Sequence, residues 1–155
     1  MFKGRCPMEQ SFAEIHRENY RRQANGYGID EAFVSLLVES FYAKVRADKD
    51  LGPIFEGVIG DQWPTHLARM KTFWGAIALK TGDYHGRPMP AHLKLKQVEP
   101  WHFERWLELF AQNLDEIAPS PEARNFFNSR ANNIARSLMT GMFYNPADDM
   151  KELKR

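Results

Sequence analysis

His92 is the residue whose chemistry and position first suggest a binding site. It lies in the segment PMPAHL at 88–93, where two prolines end any preceding helix, and Pro100 suits the first turn of the next one. A histidine on a short element between two longer helices can bond a metal centre held in the crevice between them. A single histidine is more often a core or surface residue than a ligand, so His92 alone does not establish a site.

Three further polar side chains lie on helix faces that are otherwise apolar. They are the phenol of Tyr42, the imidazole of His66 and the indole of Trp106, which can only donate a hydrogen bond. Burying such a group without a partner costs free energy. Taken alone, Tyr42 and Trp106 are better explained by polar tips that reach solvent, and His66 by a position at a helix edge. Convergence of all three with His92 on one pocket would account for the four together, and this is the prediction.

The elements that must position these residues are predicted to be helices. Apolar residues recur three or four positions apart between about 30–46, 61–80, 100–117 and 120–144. A weak helix is expected near 10–23, and a short helical piece opens at 54–55 and ends at Gly57 and Gly60. A strand at 33–38 is outweighed by the four-residue spacing of Phe33, Leu37 and Phe41. The fold class is therefore all-α.

Capping residues place the predicted helix starts. Asp30 and Asp61 are expected to cap the second helix and the long helix that carries His66. Pro64 is tolerable in the first turn of the latter. Ser120 followed by Pro121 is an N-cap and first-turn proline for the last helix.

Composition limits the class of protein. A length of 155 residues suits one domain, and an aromatic share of 13% suggests a large apolar interior or a pocket with flat walls. The formal charge is +1, and basic residues are interspersed with acidic ones, so no basic surface for binding nucleic acid is indicated.

One cysteine, Cys6, excludes an internal disulfide and a thiolate metal site within one chain. No run resembles a signal peptide or a membrane span, so a cytoplasmic protein is expected.

Several stretches together resemble one family. The run FYAKVRADKDLGPIF at 41–55 resembles the opening of a truncated haemoglobin. Five further features resemble group III of that family. They are Trp63 with His66, the pair at 73–74, GDY at 82–84, AHL at 91–93 and the stretch 104–110 around Trp106. The resemblance covers roughly 30–144. It implies a shortened globin fold, with two helices over two around haem b, a globin domain at 30–145, an N-terminal helical extension at 1–29 and a polar tail at 146–155.

The resemblance also implies roles for particular residues. His92 would be the proximal iron ligand, with its second ring nitrogen bonded to an acceptor. Phe55 would wedge against the haem. Tyr42 and Trp106 would donate hydrogen bonds to a diatomic ligand, and His66 would be a distal gate or a further polar partner.

Three residues complete the implied haem-binding set. Met70 and Trp74 would line the distal wall. Arg69 is the candidate partner of a haem propionate, because a guanidinium suits a carboxylate, although a solvated surface arginine is nearly as good an interpretation. No role in the site is assigned to His16, His85 or His102.

The implied function is binding of dioxygen, carbon monoxide or nitric oxide at a five-coordinate iron. The alternative is a haem-based redox enzyme, a nitric oxide dioxygenase or a peroxidase-like protein, which would need a separate reductase because no flavin or nicotinamide domain is present. A haem-free helical interaction module is a third interpretation, which the position of His92 disfavours. Zinc is the weakest option, since no HExxH motif occurs. The extension leaves open an additional packed helix, a self-association segment or disorder, and the protein would be a monomer or a small homo-oligomer.

Overall fold

The chain is described by a computed structural model over residues 11–80 and 97–143. Within these ranges the regular structure is entirely helical, and it comprises α1 (Phe12–Gly26), α2 (Glu31–Ala47), α3 (Leu51–Ile59), α4 (Trp63–Leu79), α5 (Pro100–Ile117) and α6 (Pro121–Phe143). None of these helices is long and apolar enough to cross a lipid bilayer. His92 and the predicted helix end at 144 lie outside the described residues.

Two helix pairs form the core. α2 packs against α4, α5 packs against α6, and α2 also crosses α5, while α3 contacts both α2 and α5. The predicted apolar faces of α2, α5 and α6 are mostly buried, and the rings of Phe41, Phe110 and Phe127 are fully enclosed at the centre. On α4 the prediction holds only in part, since Trp74 is buried while His66, Met70, Phe73 and Ile77 are half-buried. The all-α, two-over-two arrangement predicted from the sequence is confirmed.

Two helix starts follow the predicted caps. Asp30 Oδ1 accepts a hydrogen bond from the Phe33 N–H at 2.8 Å. Ser120 Oγ accepts one from the Ala123 N–H at 3.1 Å and donates to the Tyr27 carbonyl at 2.6 Å. Both side chains satisfy an N–H that has no partner within its own helix.

The start of α3 differs from the prediction. The helix begins at Leu51 rather than at 54, because Asp48 Oδ2 accepts from the Leu51 N–H at 3.0 Å and starts the turn earlier. Gly57 lies inside α3 and does not end it. Gly52 lets α3 approach the end of α2 closely, since a Cβ there would lie 2.7 Å from the Arg46 carbonyl oxygen.

The start of α4 also differs. Gln62 rather than Asp61 is the N-cap residue, and its side chain makes no capping hydrogen bond. Pro64 occupies the first turn, where a missing N–H costs nothing, and this placement leaves Asp61 in the preceding turn.

The N-terminal helix α1 packs on the C-terminal end of α4. The Tyr20 hydroxyl donates to the Ile77 carbonyl at 3.2 Å, and Arg21 Nε donates to the Leu79 carbonyl at 2.8 Å. The last carbonyls of a helix have no intrahelical partner, so α1 supplies donors that α4 lacks. Of the roles left open for the extension, residues 12–26 take that of an additional packed helix.

Candidate functional site

The corner between α2, α3 and α4 contains a cluster of four rings around Tyr42. The Tyr42 ring centroid lies 4.9 Å from that of His66, at an interplanar angle of 90°. It lies 5.9 Å from Trp63 and 6.0 Å from Phe55. We call Tyr42, Phe55, Trp63 and His66 the Tyr42 cluster. It combines apolar surface with a phenol and an imidazole.

Local sequence explains how these rings meet. Trp63 and His66 are three residues apart on α4, which puts both on the same side of the helix. Tyr42 adjoins Phe41, so it lies at the edge of the α2 core face. Phe55 reaches the cluster because α3 folds back closely on α2 at Gly52.

The hydroxyl of Tyr42 is the main polar group of the cluster. Tyr42 is 5% exposed, and burial raises its pKa above the ordinary value of 10.0, so the phenol stays protonated. Within residues 11–80 and 97–143 this hydroxyl makes no hydrogen bond. The cluster therefore contains an O–H on a buried side chain that can donate to a further group.

Trp106 lies one ring away from Tyr42. The Phe41 ring contacts both side chains, with its centroid 5.0 Å from Tyr42 and 5.2 Å from Trp106. The Trp106 ring stacks on Phe110 at 5.3 Å. Its indole N–H has no acceptor among the described residues. Two donors from different helices thus flank the same phenylalanine.

The three predicted site residues on the middle of α4 have different environments. Met70 is half-buried and packs against the core, and Arg69 is exposed. Trp74 is buried in the core, where it stacks on Phe110 at 5.3 Å and contacts Phe127 at 5.8 Å. The structure thus brings together Tyr42, Phe55 and His66, with Trp106 adjacent, while His92 lies outside the described residues.

Sequence reasoning did not assign Trp63, Glu56 and Arg46 to the site. The Trp63 Nε1–H donates to Glu56 Oε1 at 3.1 Å, and Arg46 Nε donates to the same oxygen at 2.9 Å. The spacing of Trp63 and His66 on one helix was a signal for the tryptophan. No comparable signal exists for Glu56 and Arg46, because their contacts cross two helix junctions.

His102 has a structural role at the start of α5. Its Nδ1 accepts a hydrogen bond from the Glu99 N–H at 2.8 Å, and its ring stacks on Trp101 at 3.8 Å. In the described part of the chain, no three His, Cys, Asp or Glu side chains are grouped so that they could hold a metal ion.

Comparison with known proteins establishes the family. No protein-family model matches the chain. The chain is 42% identical over 119 residues to the group 3 truncated hemoglobin ctb of Campylobacter jejuni, which covers 75% of this chain and 92% of that protein. This chain belongs to the group III truncated haemoglobins. A crystal structure of the group III truncated hemoglobin from Campylobacter jejuni matches this globin with a TM-score of 0.71 and 38% identity, over 75% of this chain and 93% of the other.

Membership of this family implies that the chain binds haem and a gaseous ligand. The described residues fit such a group. Aromatic rings provide flat apolar walls, and the hydroxyl of Tyr42 and the indole N–H of Trp106 are donors without acceptors among the described residues.

Proposed function

We propose that this globin binds haem b through His92 and retains a diatomic gas by a hydrogen bond from Tyr42. The observation that carries the proposal is the buried side chain of Tyr42, whose ring adjoins His66 and whose hydroxyl has no acceptor within the described ranges. When bound, haem supplies the iron to which a gas binds. Non-covalent haem b suits a chain with a single cysteine, since c-type attachment uses two.

Three side chains of the protein, Tyr42, Trp106 and His66, form the proposed contacts with the bound gas and with one another. Tyr42 donates its O–H to the bound gas, and Trp106 contributes a second donor through its indole N–H. His66 packs its ring edge-on against Tyr42 at 4.9 Å and so limits the directions in which the phenol can turn. Because Tyr42 stays protonated at physiological pH, its donor is permanent.

Apolar and charged side chains complete the proposed haem contacts. Phe55 and Met70 supply apolar surface, and Trp74 supports that surface from the core through its stacking on Phe110. Arg69 is exposed on α4, where its guanidinium can pair with a haem propionate at the protein surface.

Haem binding is tested by visible spectra of the purified protein in its oxidised, reduced and carbon monoxide-treated forms. We expect a Soret band that shifts on reduction and again with carbon monoxide. His92→Gly should lose most of its haem or its five-coordinate ferrous spectrum, because the iron loses its protein ligand. Normal haem content and an unchanged spectrum in that variant would refute the assignment of His92.

Tyr42→Phe tests the distal donor. One hydrogen bond to a strongly polarised ligand is worth about 1.5–3 kcal/mol, so we expect oxygen dissociation to accelerate by roughly tenfold to a hundredfold. Tyr27→Phe is the matched control, because the Tyr27 hydroxyl accepts from Gln23 Nε2 at 3.0 Å away from the cluster. Equal dissociation rates in the two variants would place the donor elsewhere.

A second candidate function is oxidation of nitric oxide by the oxygenated protein, supported by a separate reductase. Two donors close to one buried site favour slow release of oxygen, which suits reaction better than transport. Rapid mixing of oxygenated protein with nitric oxide should then yield nitrate and the ferric spectrum faster than oxygen dissociates. A reaction limited by oxygen dissociation would rule this function out.

A further inference from the structure

Trp63 is held on its outer side by a charged pair. Its indole N–H donates to Glu56 Oε1 at 3.1 Å, and Arg46 Nε donates to the same oxygen at 2.9 Å. The Arg46 guanidinium carbon also lies 4.5 Å from the centroid of the Trp63 ring. Each of the three side chains thus contacts the other two, and the three come from α2, α3 and α4.

The charged pair covers the tryptophan from solvent. The side chains of Arg46 and Glu56 are 47% and 44% exposed, whereas Trp63 is only 5% exposed. An exposed ion pair of this kind contributes little to global stability by itself. Its location over an indole ring gives it a different role, because it restricts the position of one buried side chain.

On its inner side Trp63 contacts the two polar rings of the cluster. Its centroid lies 5.9 Å from Tyr42 and 5.6 Å from His66, at interplanar angles of 61° and 90°. Displacement of the indole would leave space beside both rings. The rotation of the phenol, and with it the direction of its O–H, would then be less restricted.

We propose that Trp63 is a positioning residue that holds the rings of Tyr42 and His66, and that the Arg46–Glu56 pair locks Trp63 in place. The proposal rests on the proposed function in that the role of Tyr42 as a donor gives this positioning its consequence. The lock itself is a property of the protein alone and can be measured without any gas ligand.

The lock is tested by exchange of the Trp63 indole proton, followed by NMR and identified by its absence in Trp63→Phe. Glu56→Gln keeps an acceptor for the indole N–H but removes the charge that attracts Arg46, so it should accelerate this exchange by roughly fivefold, as expected when a charge-assisted hydrogen bond becomes a neutral one. Glu116→Gln is the matched control, since Glu116 pairs with Lys44 of α2 at 2.8 Å without an aromatic contact. Equal exchange rates in the two variants would overturn the lock.

The positioning role is tested by a double-mutant cycle on oxygen dissociation. Trp63→Phe replaces the indole by a smaller ring, which leaves space beside Tyr42 and His66, and it removes the N–H that binds Glu56. If Trp63 positions Tyr42, the effect of Tyr42→Phe should fall from about tenfold or more in the wild type to under about threefold in the Trp63→Phe background. Independent effects of the two substitutions would refute the positioning role.

The two measurements separate failure of this inference from failure of the proposed function. An absent effect of Tyr42→Phe in the wild type would mean that Tyr42 is not the donor, and it would remove the positioning role as well. Accelerated indole exchange in Glu56→Gln would still establish the lock in that case. A full effect of Tyr42→Phe in both backgrounds would leave the proposed function intact and overturn this inference alone.

Discussion

Tyr42 illustrates at the scale of one residue how a polar group among apolar neighbours costs stability. Tyr42 is 5% exposed as a residue, and its hydroxyl forms no hydrogen bond within the described ranges. Such a group loses its water without full compensation, which costs on the order of 1–3 kcal/mol. This cost agrees with the proposed role of Tyr42 as a donor to a bound gas.

We predict that Tyr42→Phe raises the free energy of unfolding of the haem-free protein by up to about 1 kcal/mol, because it removes a hydroxyl that makes no hydrogen bond within the described ranges from a buried side chain. Urea unfolding at neutral pH measures this change. Tyr27→Phe, at a half-buried tyrosine whose hydroxyl bonds to Gln23, should have no comparable effect. A clear loss of stability in Tyr42→Phe would show that the hydroxyl is already satisfied.

The same substitution should alter the alkaline stability. Burial raises the pKa of Tyr42 in the folded state above its ordinary value of 10.0. Below about pH 10 the phenol is protonated in both states, so the free energy of unfolding does not depend on this shift. As the pH rises above about 10, the unfolded state releases the proton while the folded state keeps it, and the free energy of unfolding falls. We expect wild-type stability to fall more steeply than that of Tyr42→Phe between about pH 9 and pH 11 in the haem-free protein. Parallel curves would contradict the burial argument.

Asp48 connects three helices at the scale of the element. One carboxylate oxygen accepts from Arg105 Nη2 of α5 at 2.7 Å and from its Nε at 3.0 Å. The other accepts from the Leu51 N–H and starts α3. The carboxylate at the end of α2 thus sets the junction that brings Phe55 toward Tyr42.

Several influences act on the pKa of Asp48. Burial raises it, but the hydrogen bond from Arg105, the backbone N–H groups of Leu51 and Asp50 and the charge of Arg105 together outweigh burial, so the pKa lies below its ordinary value of 3.8. The stabilisation is therefore complete above about pH 4 and is lost as the pH falls through the folded value.

Asp48→Asn should lower the free energy of unfolding by about 1–2 kcal/mol at pH 7, because the charge-assisted bonds from Arg105 are weakened. Asp115→Asn is the matched control, since Asp115 pairs with Arg124 on the surface and should cost less than about 0.5 kcal/mol. Urea unfolding of both variants measures the difference. The deficit of Asp48→Asn should shrink below pH 4, and an equal deficit at pH 7 and pH 3 would contradict the linkage.

At the scale of the molecule, haem is expected to stabilise the fold. A ligand that binds only the folded state adds about 4 kcal/mol when its free concentration is a thousandfold above Kd, which raises Tm by roughly 10 °C for a chain of this size. Thermal unfolding with and without haem, followed by circular dichroism, measures this gain. His92→Gly should show a much smaller gain, and an equal gain in the variant would mean that His92 is not the principal attachment.

The long helices were predictable because their apolar spacing extends over many turns. The predicted face of α2 is fully buried and those of α5 and α6 are mostly buried, whereas on α4 only Trp74 of the predicted face is buried. Local errors arose at helix starts, as at α3, which begins three residues early at Leu51, whose N–H donates to Asp48. The polar groups of the candidate site were also visible in the sequence, since Tyr42, His66 and Trp106 interrupt apolar faces.

By itself, the sequence determined the helical class, the buried faces, the family resemblance and the polar residues that interrupt those faces. Only the tertiary structure decided that Trp63 joins Tyr42 and His66, that Glu56 and Arg46 hold it, and that α1 packs on the end of α4. Helical periodicity specifies which side of each helix turns inward. It does not specify how the helices cross, and that crossing decides which distant side chains meet.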